Sequence, residues 1–111
     1  MKPQMKTDGW FLQVVTLPRA GWIGTWKWGA SLWTGDIGST FPILADAVKT
    51  ILSAQATGFA WMTIDGGGYC GGDSQSPAYR ETQLRWMQLS ATLPIMRQHG
   101  AEDAFCDPFL Y

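Results

Sequence analysis

The chain has little charge, and it lacks the features that would tie it to a nucleic acid, a membrane or a disulfide scaffold. Only 15% of its 111 residues are charged, and 8 basic against 9 acidic side chains leave a net charge of −1. A nucleic-acid surface would show as a clustered basic patch, and the basic residues here are spread along the chain. No apolar run approaches the ~20 residues that a membrane helix needs. Residues 1–10 are polar and lack the apolar stretch of a secretory leader. Two cysteines, Cys70 and Cys106, are too few for a disulfide framework; they leave one bridge open and do not fix a compartment. The single histidine, His99, lies near Glu102, Asp103 and Cys106, but that spacing fits no zinc pattern. Neither a metal nor a cofactor is expected. No internal repeat and no domain boundary stand out.

Tryptophan and glycine are abundant. Seven tryptophans occur, four of them between Trp22 and Trp33, and 46% of residues are hydrophobic, enough for a packed core. Core filling is the expected role for most of the tryptophans, because each indole buries a large area. A second role is open to some of them, since the C–H face of a pyranose ring packs on an aromatic plane while its hydroxyls seek polar partners.

Hydrophobic patterning divides the chain into alternating strands and helices. Phe11–Leu17 is a continuous apolar and β-branched run, as in a strand buried on both faces of a parallel sheet, and Pro18 ends it. Trp28–Trp33 reads as a second strand, Phe59–Ile64 as a third and Leu93–Met96 as a fourth, weakened by Pro94. Ile43–Gln55 is predicted as a helix, with Leu44, Ala47, Val48, Ile51 and Leu52 at helical spacing. Pro42 suits its first turn and Gly58 its C-terminal cap. A second helix is predicted from Tyr79 to about Ala91, opened by Ser76-Pro77.

Two of these strands hand an aspartate to a glycine loop: Trp33-Thr34-Gly35-Asp36, and Asp65 in Thr63-Ile64-Asp65-Gly66-Gly67-Gly68-Tyr69. Strand, acidic loop and helix in repetition is the plan of a (β/α) barrel, whose chemistry sits on the loops after the strands. Taken alone, Asp36 and Asp65 would pass as helix caps or turn formers, and His99 as a satisfied polar residue near a strand end.

Together, and in order, these segments resemble glycoside hydrolase family 31, the α-glucosidases and α-xylosidases. The family's Trp-Ser/Thr-Gly-Asp segment is similar to Trp33-Thr34-Gly35-Asp36, which implies that Asp36 is the general acid/base. Its Asp-Ile-Gly-Gly-Phe segment is similar to Asp65-Gly66-Gly67-Gly68-Tyr69, with Gly66 for the usual isoleucine and Tyr69 for the usual phenylalanine; Asp65 would hold sugar hydroxyls. Arg-Trp-x-Gln-Leu followed by Pro-x-x-Arg-x-His matches Arg85-Trp86-Met87-Gln88-Leu89 and Pro94-Ile95-Met96-Arg97-Gln98-His99. By this resemblance His99 binds a hydroxyl in the −1 subsite with Arg97 beside it, Trp33 borders the pocket, and Arg19 in Pro18-Arg19-Ala20 takes the place of a subsite arginine. The spacing Asp36-Ile37-x-Ser39-Thr40-Phe41 looks more like the α-xylosidase-like branches.

The resemblance implies an α/β fold, a partial (β/α)₈ TIM-barrel catalytic domain spanning residues 1–111 and comprising about the last four βα units. A complete barrel takes roughly 250 residues. Retaining hydrolysis needs two carboxyls about 5–5.5 Å apart, a nucleophile and an acid whose pKa is raised by a dry or negative setting. The family's nucleophile lies in an Asp-Met-Asn-Glu-like segment, and none occurs here. The expectations are therefore a carbohydrate substrate, no nucleic-acid or membrane partner, and a need for the remainder of the barrel, without which the isolated chain is inactive. A non-catalytic carbohydrate-binding fragment is the alternative, and a truncated product with no independent role is compatible with the first reading.

Overall fold

The computed structural model describes residues 16–73 and 75–101. Its elements are a short 3₁₀ helix at Thr25–Trp28, strand β1 (Leu32–Trp33), helix α1 (Phe41–Ala56), strand β2 (Met62–Thr63) and helix α2 (Pro77–Ser90). β1 and β2 pair in parallel, Leu32 with Met62 and Trp33 with Thr63. Single parallel bridges extend the ladder at Thr16–Ala30, Gly38–Cys70 and Gly66–Gln98. Four stretches of chain thus lie side by side in sequence order and point the same way, so their C-terminal ends share one edge.

Each helix forms where the sequence supplies both a stripe and a stop. On α1, Ala47 and Ile51 are buried and Ile43, Leu44 and Ala54 pack against the same core, which is one face at helical spacing. Thr40 stands extended at its N-cap and Pro42 falls in the first turn, where a missing N–H costs nothing. The C-terminus closes in a Schellman arrangement: the Gly58 N–H donates to the Gln55 carbonyl and the Phe59 N–H to the Ala54 carbonyl. Gly58 makes that possible with φ of +101°, a conformation strained for any side chain. Ser76 and Pro77 open α2, whose buried face is Tyr79, Thr82, Gln83, Trp86 and Ser90. Three of those five side chains are polar, which a purely apolar stripe would not have indicated.

The core lies between the ladder and the two helices. It comprises Ala47, Ile51, Phe59, Met62, Ile64 and Trp86, with Trp26, Leu32, Ile37 and Leu93 packed on it. Residues 62 to 68 are all buried, so β2 and the loop it feeds are covered on both faces, as the parallel-sheet reading requires. Trp86 is wholly buried, and Trp86→Ala is expected to cost about 3–5 kcal/mol. Leu84→Ala, on the exposed side of the same helix, should change stability by no more than about 0.5 kcal/mol. Urea unfolding of the two variants checks the contrast.

The sequence expectations need four corrections. Trp28 does not begin a strand: residues 25–28 form a 3₁₀ turn closed by the Lys27 N–H to the Gly24 carbonyl and the Gly29 N–H to the Trp26 carbonyl. Ladder pairing starts only at Ala30. Leu93–Met96 is not a strand either. The chain leaves α2 through turns bonded from Thr92 to Leu89 and from Leu93 to Ser90, Pro94 has no N–H to give, and pairing resumes at Gln98. The helices begin two residues earlier than expected, at Phe41 and Pro77. Finally, three of the six described tryptophans are not core: Trp22, Trp28 and Trp61 are exposed, while Trp86 is buried and Trp26 packs on the core, meeting Phe59 edge-on at 5.0 Å. Of the proposed first strand only Thr16 and Leu17 fall among the described residues, and Cys106 lies outside them.

Candidate active site

The site is built where three stretches leave the ladder at its C-terminal edge: the loop after β1, the loop after β2, and residues 97–101. The first two loops are stitched together by backbone bonds. The Tyr69 N–H donates to the Ile37 carbonyl at 2.7 Å, and the Ser39 N–H to the Cys70 carbonyl at 3.1 Å. The Ser39 hydroxyl donates to the Gly71 carbonyl at 2.9 Å. The third stretch joins through Gly66, whose N–H donates to the Arg97 carbonyl and whose carbonyl accepts from the His99 N–H, both at 3.2 Å.

The glycines of this loop answer to steric demands. A Cβ on Gly66 would run into the Arg97 carbonyl and come 2.5 Å from the Ser90 hydroxyl oxygen. An isoleucine at this position, usual in the family that the sequence resembles, therefore has no room unless residues 90 and 97 retreat. Gly68 holds φ of +79° with its missing side chain facing the Ser39 backbone nitrogen at 2.7 Å. Close approach of the two loops depends on it. From below, the fully buried Gln83 donates from Nε2 to the Gly67 carbonyl at 2.7 Å.

Within this frame Asp65 is wholly buried and pairs through Oδ1 with Nη1 of Arg97 at 2.7 Å. Among the described residues its Oδ2 has no hydrogen-bond partner. Burial pushes the Asp65 carboxyl above its ordinary range, while the Arg97 and His99 charges pull it back and the Asp36 charge adds to the rise. The charges of Arg97, His99 and Asp36 thus all act on Asp65. The Arg97 guanidinium also lies 5.1 Å from the centre of the Trp33 ring, and that of Arg19 lies 6.0 Å from it. Arg19 reaches over Gly35, where a Cβ would come within 3.0 Å of its Nε. His99 stacks on Tyr69 with ring centres 5.2 Å apart.

The structure thus brings Arg19, Trp33, Asp36, Asp65, Arg97 and His99 to one edge of the ladder. One local expectation differs. Asp36 is exposed, so the dry setting expected for an acid is not built by the described residues. The Arg85-Trp86-Met87-Gln88-Leu89 segment does not reach the site: Arg85 bonds Glu81 and Gln88 on the outer side of α2, and Trp86 is core. The supporting contacts of Gln83, Ser39 and Ser90 are not among the sequence expectations, although Ser39 falls in the Asp36–Phe41 spacing. Gln83 carried a usable signal, a polar residue on the stripe with Tyr79, Trp86 and Ser90. Ser39 had none, because its partners lie about thirty residues away in the chain.

Known proteins match most of the length of this chain. The model of the glycosyl hydrolases family 31 TIM-barrel domain matches residues 7–111. Alpha-xylosidase A of Aspergillus niger is 38% identical over 98 residues, covering 82% of this chain and 13% of the relative. The alpha-xylosidase of Saccharolobus solfataricus is 33% identical over 88 residues, covering 79% and 12%. Among solved structures, a family 31 α-xylosidase from a soil metagenome, complexed with xylose, superposes with a TM-score of 0.77 at 39% identity over 80% of this chain and 13% of its own. The xylosidase from Aspergillus niger superposes with the same TM-score, 0.77, at 36% identity, over 87% of this chain and 16% of its own. The chain therefore spans only a small part of the relatives it matches. The match of nearly its whole length to the family's barrel domain, on a parallel strand–helix ladder, makes this chain a member of glycoside hydrolase family 31.

Proposed function

We propose that the chain supplies the acid/base and sugar-holding side of the active site of a retaining α-glycosidase acting on α-xylosides or α-glucosides, as an arc of about four βα units of a (β/α)₈ barrel. The observation that carries this reading is the meeting of two aspartates on adjacent loops, one exposed and one buried against an arginine. The two environments suit two tasks. Asp36, open at the end of the β1 loop, is placed to exchange a proton with a glycosidic oxygen and later with water. Asp65, with Oδ1 held by Arg97, keeps Oδ2 to accept hydrogen bonds from ring hydroxyls. Arg19, His99 and Trp33 surround the same space, and binding energy gained there can be used to distort the sugar toward the oxocarbenium-like transition state.

In this proposal the nucleophile, the second carboxyl required about 5–5.5 Å from the acid, comes from outside these 111 residues. So does the dry wall that would raise the pKa of the acid. The test joins the chain to the first half of a family 31 barrel carrying an Asp-Met-Asn-Glu segment and assays aryl α-xyloside and α-glucoside. Hydrolysis with retention by the joined protein, and none by the chain alone, is the expected result. Turnover by the lone chain would overturn the reading. Sugar binding by the joined protein without hydrolysis would favour a non-catalytic carbohydrate-binding role instead.

A further inference from the structure

Tyr69 occupies a position that its role as a loop residue does not require. Its N–H is held by the carbonyl of Ile37, the residue after Asp36, at 2.7 Å, and its carbonyl accepts from the Ala101 N–H, two residues past His99, at 2.9 Å. It is thereby anchored to the stretch carrying the proposed acid and to the stretch carrying the proposed sugar-binding histidine. Gly68, tight against Ser39, fixes the approach of the backbone from the other side. With the backbone pinned at both ends, the phenol ring lies against the His99 imidazole, centres 5.2 Å apart and planes inclined by 30°. The His99 backbone is fixed by its bond to Gly66, and the face of Tyr69 covers one side of its half-buried ring.

We propose that Tyr69 is a positioning residue: by stacking, it holds the His99 imidazole beside the loop that carries Asp65. This rests on the functional reading given above for its catalytic consequence, but not for its structural content. Ring stacking needs only an aromatic face, so phenylalanine should serve and an aliphatic residue should not.

His99 is the only histidine in the chain, so its ring protons give a lone set of NMR signals. The wild-type chain should show a nuclear Overhauser contact between the Tyr69 and His99 rings. The His99 Hε1 signal should be shifted upfield by the ring current in wild type and Tyr69→Phe, and lose that shift in Tyr69→Leu. In the joined enzyme, Tyr69→Leu should lower kcat/KM by about tenfold, the scale of a lost aromatic pair, and Tyr69→Phe should restore it. Absence of the ring-to-ring contact in wild type overturns the proposal without recourse to any variant. An unchanged kcat/KM in Tyr69→Leu, or a loss in Tyr69→Phe as large as in Tyr69→Leu, overturns it too, the latter by assigning the effect to the hydroxyl. Should the joined protein not hydrolyse at all, the functional reading fails, while the NMR signals still decide whether Tyr69 orients His99.

Discussion

In the joined barrel, Asp36→Asn lowers turnover of an aryl α-glycoside with a poor leaving group by about 10²–10⁴-fold, the range for loss of a general acid. With a good leaving group, glycosylation needs little protonation and that step is slowed far less. The alkaline limb of the pH profile, which reports loss of the acid's proton, should vanish for the poor substrate. The measurement is turnover on two aryl glycosides whose phenols differ in acidity, across pH. Equal slowing on both would show that Asp36 holds the sugar or the fold rather than donating a proton. Its exposed position in the structure leaves its carboxyl open to an incoming oxygen.

Arg97→Ala should cost about 3–5 kcal/mol of stability near neutral pH, as much as Trp86→Ala. The reason is the partner left behind: Asp65 is wholly buried, with one oxygen already without a hydrogen bond among the described residues. The damage should shrink in acid, because a buried carboxyl without its cation takes up a proton instead. Asp65 also sets a pH dependence in the unaltered chain. Its folded pKa lies above the ordinary value of 3.8, with burial as the leading cause. Between those two values the folded state keeps a proton that the unfolded state has released. Its contribution is therefore fully present below the unfolded pKa and is lost as pH rises through the folded one. Urea midpoints of wild type should fall over that window relative to Asp65→Asn, which cannot titrate. An Asp65→Asn chain that loses stability over the same window to the same extent would show that another group is responsible.

What could be read from the sequence was what local chemistry dictates. The first helix is written in the 3.6-residue stripe with Pro42 and Gly58, the second in Ser76 and Pro77, and the structure moves their starts by two residues. Strands were legible as apolar runs, but a run does not say which residues pair. Trp28 looks like a strand residue and sits in a 3₁₀ turn, and the fourth ladder contact lies at Gln98, past Pro94, where the sequence is polar. The residues proposed to carry the chemistry stand out in the sequence as motifs, Asp36 and Asp65 each just past a strand. Their supports were not. Gly66 against Arg97, Gly68 against Ser39 and Tyr69 against His99 are contacts between segments some thirty residues apart, made by backbone atoms and ring faces that leave no local pattern. Trp86 belongs to the same lesson: it matched a motif, and its task is to fill the space beneath the site.

The ladder also bears on how the chain acquires its shape. Each stretch pairs with the next one along the sequence: Thr16 with Ala30, β1 with β2, Gly66 with Gln98. No described strand must wait for a partner synthesised much later, and none is inserted between two that are already paired. During synthesis, where the N-terminal part emerges first, each new strand and its helix can dock on an edge already present. Order of emergence and order in space then coincide, so an arc of this kind can assemble progressively on the ribosome. The two aspartate loops come together only when β2 docks, and the Arg97–His99 stretch follows it. Asp65 gains its cation only when that later stretch docks, so the pairing of its carboxylate waits for residues some thirty positions downstream.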